Sequence, residues 1–233
     1  MKKEVTLTIL MPCLNEESTV GKCVKDSIDF IKKNKINGEV LIVDNNSTDN
    51  SSSIAKNAGA RVIKESRKGY GSALKKGINE AYGKYIIMFD SDCSYDLNDL
   101  IVLYKKLEEG YDFVIGNRFN GTIEKGAMPF FNKYLGNPVL SFMGRVLYSN
   151  HIIKDYHCGL RGFNKEKMIE LNLESNGMEL ASEMVIKVIK NKLKVIEVPT
   201  NLYKDGREGK SHLRPVRDGL RHIKCMIKYK YRR

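Results

Sequence analysis

The stretch "IIMFDSDCSYD", residues 86–96, joins a short apolar run to a cluster of carboxylates. The uninterrupted apolar run at 86–89 is typical of a strand that is buried on both faces of a sheet. Asp90, Asp92 and Asp96 follow it, and carboxylates this close in the chain repel one another. The sequence therefore predicts a buried strand that ends in an acidic turn, whose charge needs a compensating partner.

Similar apolar runs recur along the first half of the chain and predict further strands. They are "TLTILMP", "EVLIVD", "ARVIKE", "KYIIMFD" and "DFVIGN". Apolar residues at helical spacing lie between them, for example Val20, Val24, Ile28 and Ile31. Short strands that alternate with helices indicate an α/β fold with a mostly parallel central sheet and helices on both faces. We expect this alternation to continue to about residue 118.

The second half has a less regular pattern. Residues 119–135 contain Gly121, Gly126 and Pro129 and predict an ordered loop, followed by a helix at about 138–149. Farther along, "DYHCGLRGF" predicts a turn into a short strand, and "KVIEVPTNLY" predicts another strand. Helices are predicted for "GMELASEMVIKVIKNKL" and "RPVRDGLRHIKCMIKYKYRR". No clear boundary interrupts the pattern, so we expect a single domain over residues 1–233.

Composition and charge limit the classes of partner. The 233 residues are 42% apolar and 29% charged, and 40 basic against 28 acidic residues give a net charge of +12. This excess favours an anionic partner, such as a phosphorylated ligand or an acidic lipid surface. A basic nucleic-acid-binding protein is the less favoured alternative, because a carboxylate-rich sheet edge would repel a phosphate backbone. We therefore expect no nucleic acid partner.

Cysteine usage and hydropathy bear on location. The five cysteines are odd in number and form no CxxC motif, which argues against a disulfide framework or a structural zinc site. No stretch reaches the roughly 18 apolar residues that a membrane span needs. We expect a cytoplasmic protein, peripheral on the inner face of the membrane.

Polar side chains follow three of the predicted strands, in "PCLNEE", "DNNSTD" and "DSDCSYD". In an open parallel sheet, ligands bind at the carboxyl ends of the strands. A hard divalent cation, Mg²⁺ or Mn²⁺, is the best compensation for the close carboxylates of Asp90 and Asp92. Asp44, at a neighbouring strand end, is suited to accept hydrogen bonds from a nucleobase or ribose. The sheet alone thus predicts a metal-bridged nucleotide diphosphate.

Taken together, these motifs resemble a known family. "LMPCLNEE", "IVDNNSTD", "GYGSALKKGI" and "FDSDCSYD", followed by "VIGNRF", "DYHCGLRGF", "GMELASEM", "EVPTNLY" and "DGREGKSHLR", are similar to family-two glycosyltransferases of the GT-A fold. The polyprenyl-phosphate sugar synthases are the most similar branch. The resemblance implies transfer, with inversion, of a hexose (glucose or mannose) from a UDP- or GDP-linked sugar to a polyprenyl phosphate. It also divides the domain into a nucleotide-sugar-binding half at 1–118 and an acceptor half at 119–213, before a basic amphipathic helix at 214–233.

The resemblance also implies roles for individual residues. Asp90 and Asp92 would hold the metal, and catalytic roles would fall to Asp92, Asp155, Glu183 and Arg207. The acceptor would contact Arg118, Lys133 and Arg161, although Arg161 is equally suited to a structural role. The donor would be bound by Pro12, Leu14, Glu16, Asp44, Asp90, Ser91, Asp92, Arg118, Arg207 and His212.

Two acceptors remain open at this point. A phosphate monoester has a second pKa of about 6, so it is largely dianionic at neutral pH and needs no general base. A sugar hydroxyl of a cell-surface glycan needs one, and Asp155 or Glu183 is then the candidate.

The C-terminal helix is a predicted membrane contact. Its apolar residues at helical spacing are Val216, Leu220, Ile223 and Ile227, and basic residues fall mostly elsewhere on the helix. Such a helix can lie in the headgroup region of an anionic membrane. The alternative is that its apolar face packs on the domain.

Overall fold

The computed structural model describes residues 4–207 and 214–232, which contain a seven-stranded sheet. The strands are β1 (Leu7–Cys13), β2 (Gly38–Asp44), β3 (Arg61–Lys64), β4 (Tyr85–Met88), β5 (Phe113–Asn117), β6 (Arg161–Asn164) and β7 (Val195–Pro199). Their spatial order is β3-β2-β1-β4-β6-β5-β7. β6 is antiparallel to both of its neighbours, whereas the other pairings are parallel. The predicted α/β fold with a mostly parallel sheet is confirmed.

Helices connect most of the strands. In chain order they are α1 (Val20–Lys33), α2 (Ser51–Asn57), α3 (Tyr70–Glu80), α4 (Leu97–Glu108), α5 (Asn137–Tyr148), α6 (Lys165–Glu170), α7 (Leu180–Lys190) and α8 (Pro215–Tyr231). A π-helical turn, Asn132–Gly136, leads directly into α5. No helix within the described ranges is long and apolar enough to span a bilayer.

The central strands β1 and β4 are buried and paired, and this places the acidic turn beside the end of β1. Nearly every residue of β1 is buried, and since successive side chains point to opposite faces, both faces of this strand are covered. Leu10 of β1 pairs with Met88 of β4, so the two strands end near one another. A Cβ added at Gly77 of α3 would lie 2.3 Å from Leu10 Cδ1, so glycine at this position lets α3 lie close against β1.

The sequence interpretation was wrong at one point in the second half. Residues 132–135, which were predicted to be loop, belong to the π-helical turn before α5. Their glycine and proline neighbours, Gly126 and Pro129, lie before the turn and do not interrupt it. In α8, the face that packs on the domain is formed by Asp218, His222, Cys225, Met226 and Tyr229. Of the four apolar residues predicted to contact a membrane, Val216, Leu220 and Ile227 are exposed and Ile223 is half-buried, so most of this face does not pack on the domain.

Candidate active site

Two loops at the carboxyl ends of the strands are fixed by buried polar side chains. Asp44, the last residue of β2, is buried, and its Oδ1 accepts a hydrogen bond from Ser47 N at 3.0 Å. The next residue, Asn45, accepts from Gly69 N at 2.8 Å and donates to Glu65 O at 2.8 Å. Asn45 therefore ties the loop after β2 to the start of α3. The sequence alone did not indicate this bridging role.

The acidic turn after β4 is held against the end of β1. Ser91 Oγ donates to Pro12 O at 2.9 Å, and Thr19 Oγ1 donates to Ser91 O at 2.7 Å. Asp92 Oδ1 accepts from both the backbone nitrogen and the hydroxyl of Ser94, at 3.0 and 2.6 Å. These contacts place Pro12, Ser91 and Asp92 close together.

Asp96 leaves the cluster. It caps the N-terminus of α4, where its Oδ1 accepts from Asn98 N at 2.8 Å. A carboxylate at this position is stabilised by the free amides of the first helical turn. The three aspartates of the opening stretch thus have two functions, because only Asp90 and Asp92 face the site.

Arg207 supplies positive charge to the acidic site. Its Nη2 lies 2.7 Å from Glu16 Oε1 and 3.2 Å from Asp92 Oδ2. Its own segment is anchored by the hydrogen bond from Gly206 N to Asp92 O at 2.8 Å. The sequence near Asp92 offers no such cation, so the structure identifies a compensating charge that comes from a distant part of the chain.

Glu16, Asp90 and Asp92 still carry more negative charge than Arg207 neutralises. Burial raises the pKa of Glu16 to about 7, although Arg207 opposes the shift. Burial and the charge of Asp92 raise the pKa of Asp90 to about 6. Water is thus largely excluded from these closely spaced carboxylates, and an additional cation would stabilise their charged forms.

The donor set fits a hard divalent cation that is only partly coordinated by protein. Within residues 4–207 and 214–232 there is no preformed group of three or more His, Cys, Asp or Glu that could hold a metal ion. Asp90 and Asp92 would supply two carboxylates. Mg²⁺ and Mn²⁺ commonly bind through one or two carboxylates and take the remaining oxygens from substrate phosphates and water.

Two tyrosines surround Asp90. Tyr70 hydrogen-bonds to the Asp90 carboxylate, and Tyr95 Oη accepts from Gly159 N at 2.9 Å. A Cβ at Gly159 would lie 3.1 Å from Asp90 Oδ2, so glycine lets this loop approach the carboxylate closely. No periodic pattern in the sequence indicates this contact, because Tyr70 begins α3 and Asp90 follows β4.

Arg118 and Asp155 form a buried bidentate pair. Arg118 Nε lies 2.7 Å from Asp155 Oδ2, and Nη2 lies 2.8 Å from Oδ1. Asp155 is fully buried, and its backbone nitrogen donates to Glu197 Oε1 at 2.8 Å. The guanidinium is therefore fixed in place, and the charge of Asp155 is balanced.

Glu183 and Arg161 make internal contacts. Glu183 is fully buried and accepts from the amides of Glu174 and Ser175 at 2.7 Å and from Tyr229 Oη at 2.8 Å. Arg161 is also buried, and its guanidinium donates to three backbone carbonyl oxygens, those of Tyr156, Cys158 and Ala181. This placement favours the structural alternative for Arg161.

The remaining predicted residues lie elsewhere or outside the described chain. Leu14 follows β1 and is half-buried. Lys133 lies in the π-helical turn, with its Nζ 5.5 Å from the centre of the Tyr134 ring. His212 lies outside the described residues.

The sequence profile of glycosyl transferase family 2 matches residues 8–171, which include the acidic turn and its supporting loops. The chain belongs to this family. Residues 86–96 thus lie within the part of the chain that family members share.

Curated relatives of this family-2 chain include two proteins from Haloferax volcanii. The low-salt glycan biosynthesis hexosyltransferase Agl6 is 35% identical, in an alignment that covers 95% of this chain and 53% of that protein. The chain therefore spans about half of the length of this relative. A dolichyl-phosphate hexose transferase is 30% identical, and the alignment covers 95% of this chain and 92% of that protein.

Solved structures establish the GT-A fold. Glucosyl-3-phosphoglycerate synthase from Mycobacterium tuberculosis, in complex with Mn²⁺, UDP-glucose and phosphoglyceric acid, superposes with a TM-score of 0.75. The superposition covers 97% of this chain and 79% of that protein, at 19% identity. The fold predicted from the resemblance is confirmed.

Proposed function

We propose that the chain transfers a hexose, glucose or mannose, from a UDP- or GDP-linked sugar to a polyprenyl phosphate, with inversion. The choice of a phosphate acceptor rests on the burial and ion pairing of the two candidate general bases, Asp155 and Glu183. Asp155 is fully buried and paired with Arg118, and Glu183 is fully buried with Lys187 Nζ at 2.8 Å. A lipid phosphate is already anionic, so neither residue has to remove a proton from it.

The donor half would bind the nucleotide diphosphate at the strand ends. Asp90 and Asp92 would hold Mg²⁺ or Mn²⁺, which supplies positive charge against the diphosphate leaving group. Arg207 already contacts Asp92 and Glu16, so its guanidinium is close enough to exchange these contacts for the diphosphate oxygens. Asp44 would accept hydrogen bonds from the nucleoside, together with contacts from Pro12, Leu14 and Ser91.

The acceptor half would orient the attacking phosphate. Arg118, held by Asp155, presents a fixed positive charge, and Lys133 offers a second one. A phosphate oxygen of the lipid attacks the anomeric carbon, the bond from that carbon to the diphosphate oxygen breaks, and the nucleoside diphosphate leaves with the electron pair. Attack from the face opposite the leaving group gives inversion.

The acceptor and location are supported by different observations. One relative is named a dolichyl-phosphate hexose transferase, and its alignment covers nearly the whole of both chains. The outward apolar residues of α8 and the net charge of +12 fit a peripheral position on the inner face of a membrane.

A transfer assay with matched acceptors tests the proposal. The purified chain is incubated with UDP-glucose or GDP-mannose and Mn²⁺ or Mg²⁺, and with one of three acceptors: a polyprenyl phosphate, the corresponding polyprenol or an oligosaccharide. Mass spectrometry should detect hexosyl product only from the phosphate. Transfer to glycan hydroxyls but not to the lipid phosphate would replace the proposed acceptor, and no transfer to any acceptor would overturn the proposal.

A further inference from the structure

The segment from residue 130 into α5 exposes an unusual number of large apolar side chains. Phe130 is 79% exposed and Val146 is 62% exposed. Between them, the side chains of five further residues are more than half exposed: Phe131, Tyr134, Leu135, Val139 and Phe142. Exposed apolar patches of this kind mark interaction sites in soluble domains.

The inner face of α5 has the opposite character. Its buried residues are Ser141 and Gly144, which pack on the segment that contains Tyr156. Tyr156 N donates to Ser141 Oγ at 3.2 Å, and a Cβ at Gly144 would lie 2.6 Å from the Tyr156 ring. A helix of a soluble protein normally turns its large apolar residues inward. α5 packs the half-buried Leu140, Met143 and Leu147 on the core and still carries large apolar residues on its outer face. This excess of exposed apolar surface is suited to contact with another apolar phase.

α8, beside α5, also exposes apolar residues. Its inner face combines the buried Asp218 and His222 with the core residues Cys225, Met226 and Tyr229, whereas its outer face carries Val216, Leu220, Ile227 and Tyr231. The two helices are joined by hydrogen bonds from Tyr148 Oη to Met226 O and from Lys230 Nζ to Leu147 O, both at 2.6 Å. The outward apolar residues of 130–146 and of α8, which we call the two-helix surface, therefore lie on adjacent elements.

Basic residues accompany the apolar ones. Arg145 lies 5.7 Å from the centre of the Phe142 ring, and Lys133 Nζ lies 5.5 Å from that of Tyr134. On α8, Arg217 and Lys224 are exposed. Cations that border an apolar surface complement anionic lipid headgroups around an acyl-chain boundary.

We propose that the two-helix surface docks the chain on an anionic lipid bilayer, with the segment 130–146 as a principal contact beside α8. The proposal rests on the proposed function and specifies the surface through which the lipid acceptor is reached. Through Ser141 and Gly144, α5 packs on Tyr156, which directly follows Asp155. A bilayer on this surface would bring lipid phosphates to the side of the domain that holds the Arg118–Asp155 pair.

Vesicle flotation with matched triple variants tests the surface. The full chain is mixed with phosphatidylcholine vesicles that contain or lack phosphatidylglycerol, at low salt. The test variant is Phe130→Ser/Phe142→Ser/Val146→Ser. The control is Tyr82→Ser/Val102→Ser/Ile169→Ser, which removes three apolar side chains that are also exposed but lie on other elements. Circular dichroism checks that both variants are folded.

The natural chain and the control should float with the anionic vesicles, and the test variant should lose about tenfold or more of its vesicle affinity. Equal flotation of both variants, or no flotation of the natural chain, would overturn the proposal. Loss of a dimer in the test variant on gel filtration, without vesicle binding by the natural chain, would assign the surface to a second copy instead.

A short-chain, water-soluble polyprenyl phosphate separates this proposal from the proposed function. The test variant should transfer hexose to it as well as the natural chain does, because none of its three positions is among the residues proposed to bind the donor or the acceptor. Flotation without any transfer would overturn the proposed function and leave the docking surface standing. Transfer without flotation would overturn the docking surface and leave the proposed function standing.

Discussion

Arg207 Nη2 lies 3.2 Å from Asp92 Oδ2, so a cation of the chain already occupies one side of the carboxylate that we propose as a metal ligand. Arg207→Ala should therefore tighten Mn²⁺ binding in the absence of nucleotide, because a competing charge is removed. It should also lower kcat more than it weakens donor binding, since the diphosphate gains charge mainly in the transition state. Mn²⁺ titration by electron paramagnetic resonance and steady-state kinetics measure the two effects.

Arg61→Ala is the control for loss of an arginine ion pair. Arg61 pairs with Glu39 near the start of β2, at the opposite end of that strand from Asp44. This variant should leave both Mn²⁺ affinity and kcat unchanged. An unchanged kcat in Arg207→Ala would contradict the role assigned to Arg207.

Asp92→Asn should abolish transfer and weaken binding of the nucleotide sugar. The substitution removes one of the two carboxylates that would hold the cation and keeps the size of the side chain. Asp96→Asn is its matched control, because asparagine also caps a helix N-terminus and Asp96 does not face the site. Isothermal titration with the nucleotide sugar and Mn²⁺ compares the two variants. Full activity in excess chelator would remove the case for a metal.

Glu183→Gln distinguishes a structural carboxylate from a general base. Glu183 holds Lys187, two loop amides and Tyr229 of α8, so we expect the free energy of unfolding to fall by about 3 kcal/mol, as when one partner of a buried ion pair is removed. The kcat of the folded protein should change little. A loss of about 10²-fold or more in kcat with unchanged urea unfolding would instead identify a general base.

Two neighbouring histidines, the half-buried His157 and the buried His222, make stability depend on pH. Ser182 Oγ bridges His157 Nε2 at 3.1 Å and His222 Nδ1 at 2.8 Å. Burial lowers the pKa of both rings, and that of His222 falls to about 4. Below its ordinary pKa of about 6.5, the unfolded chain takes up protons that the folded chain does not. The stability that these two neutral histidines contribute is thus fully present above that pH and is lost as the pH falls toward 4.

Urea unfolding at pH 7.5 and pH 5 measures this loss. His222 alone should contribute on the order of 2 kcal/mol of it. The His222→Gln variant should lose less stability than the natural chain between these two pH values. His151→Gln, at an exposed position, should behave as the natural chain does. Equal losses in all three proteins would assign the acid sensitivity to other groups.

Local patterns in the sequence predicted much of the sheet and the acidic turn. The apolar runs that became β1, β2 and β4 are continuous because these strands are buried on both faces, and the polar residues after them converge because parallel strands end at one edge. Asp90 and Asp92 could therefore be placed at the carboxyl edge of the sheet without a structure.

Contacts between distant segments were not predictable in this way. The pairing of Arg207 with Asp92 depends on where the segment after β7 returns, and no periodicity encodes that path. In α5 and α8, buried polar or small residues and exposed apolar ones mislead any rule that places apolar side chains inside. The orientation of β6 depends on its pairing with β4 and β5, which its own short sequence does not specify.

The position of β6 has a consequence for synthesis on the ribosome. β4 and β5 are complete by residue 117, but the strand that lies between them is formed by Arg161–Asn164. At roughly 5–20 residues per second, several seconds separate the emergence of β5 from that of β6. Until then the nascent chain carries two apolar strands with unpaired edges, which holdase chaperones can bind in this interval.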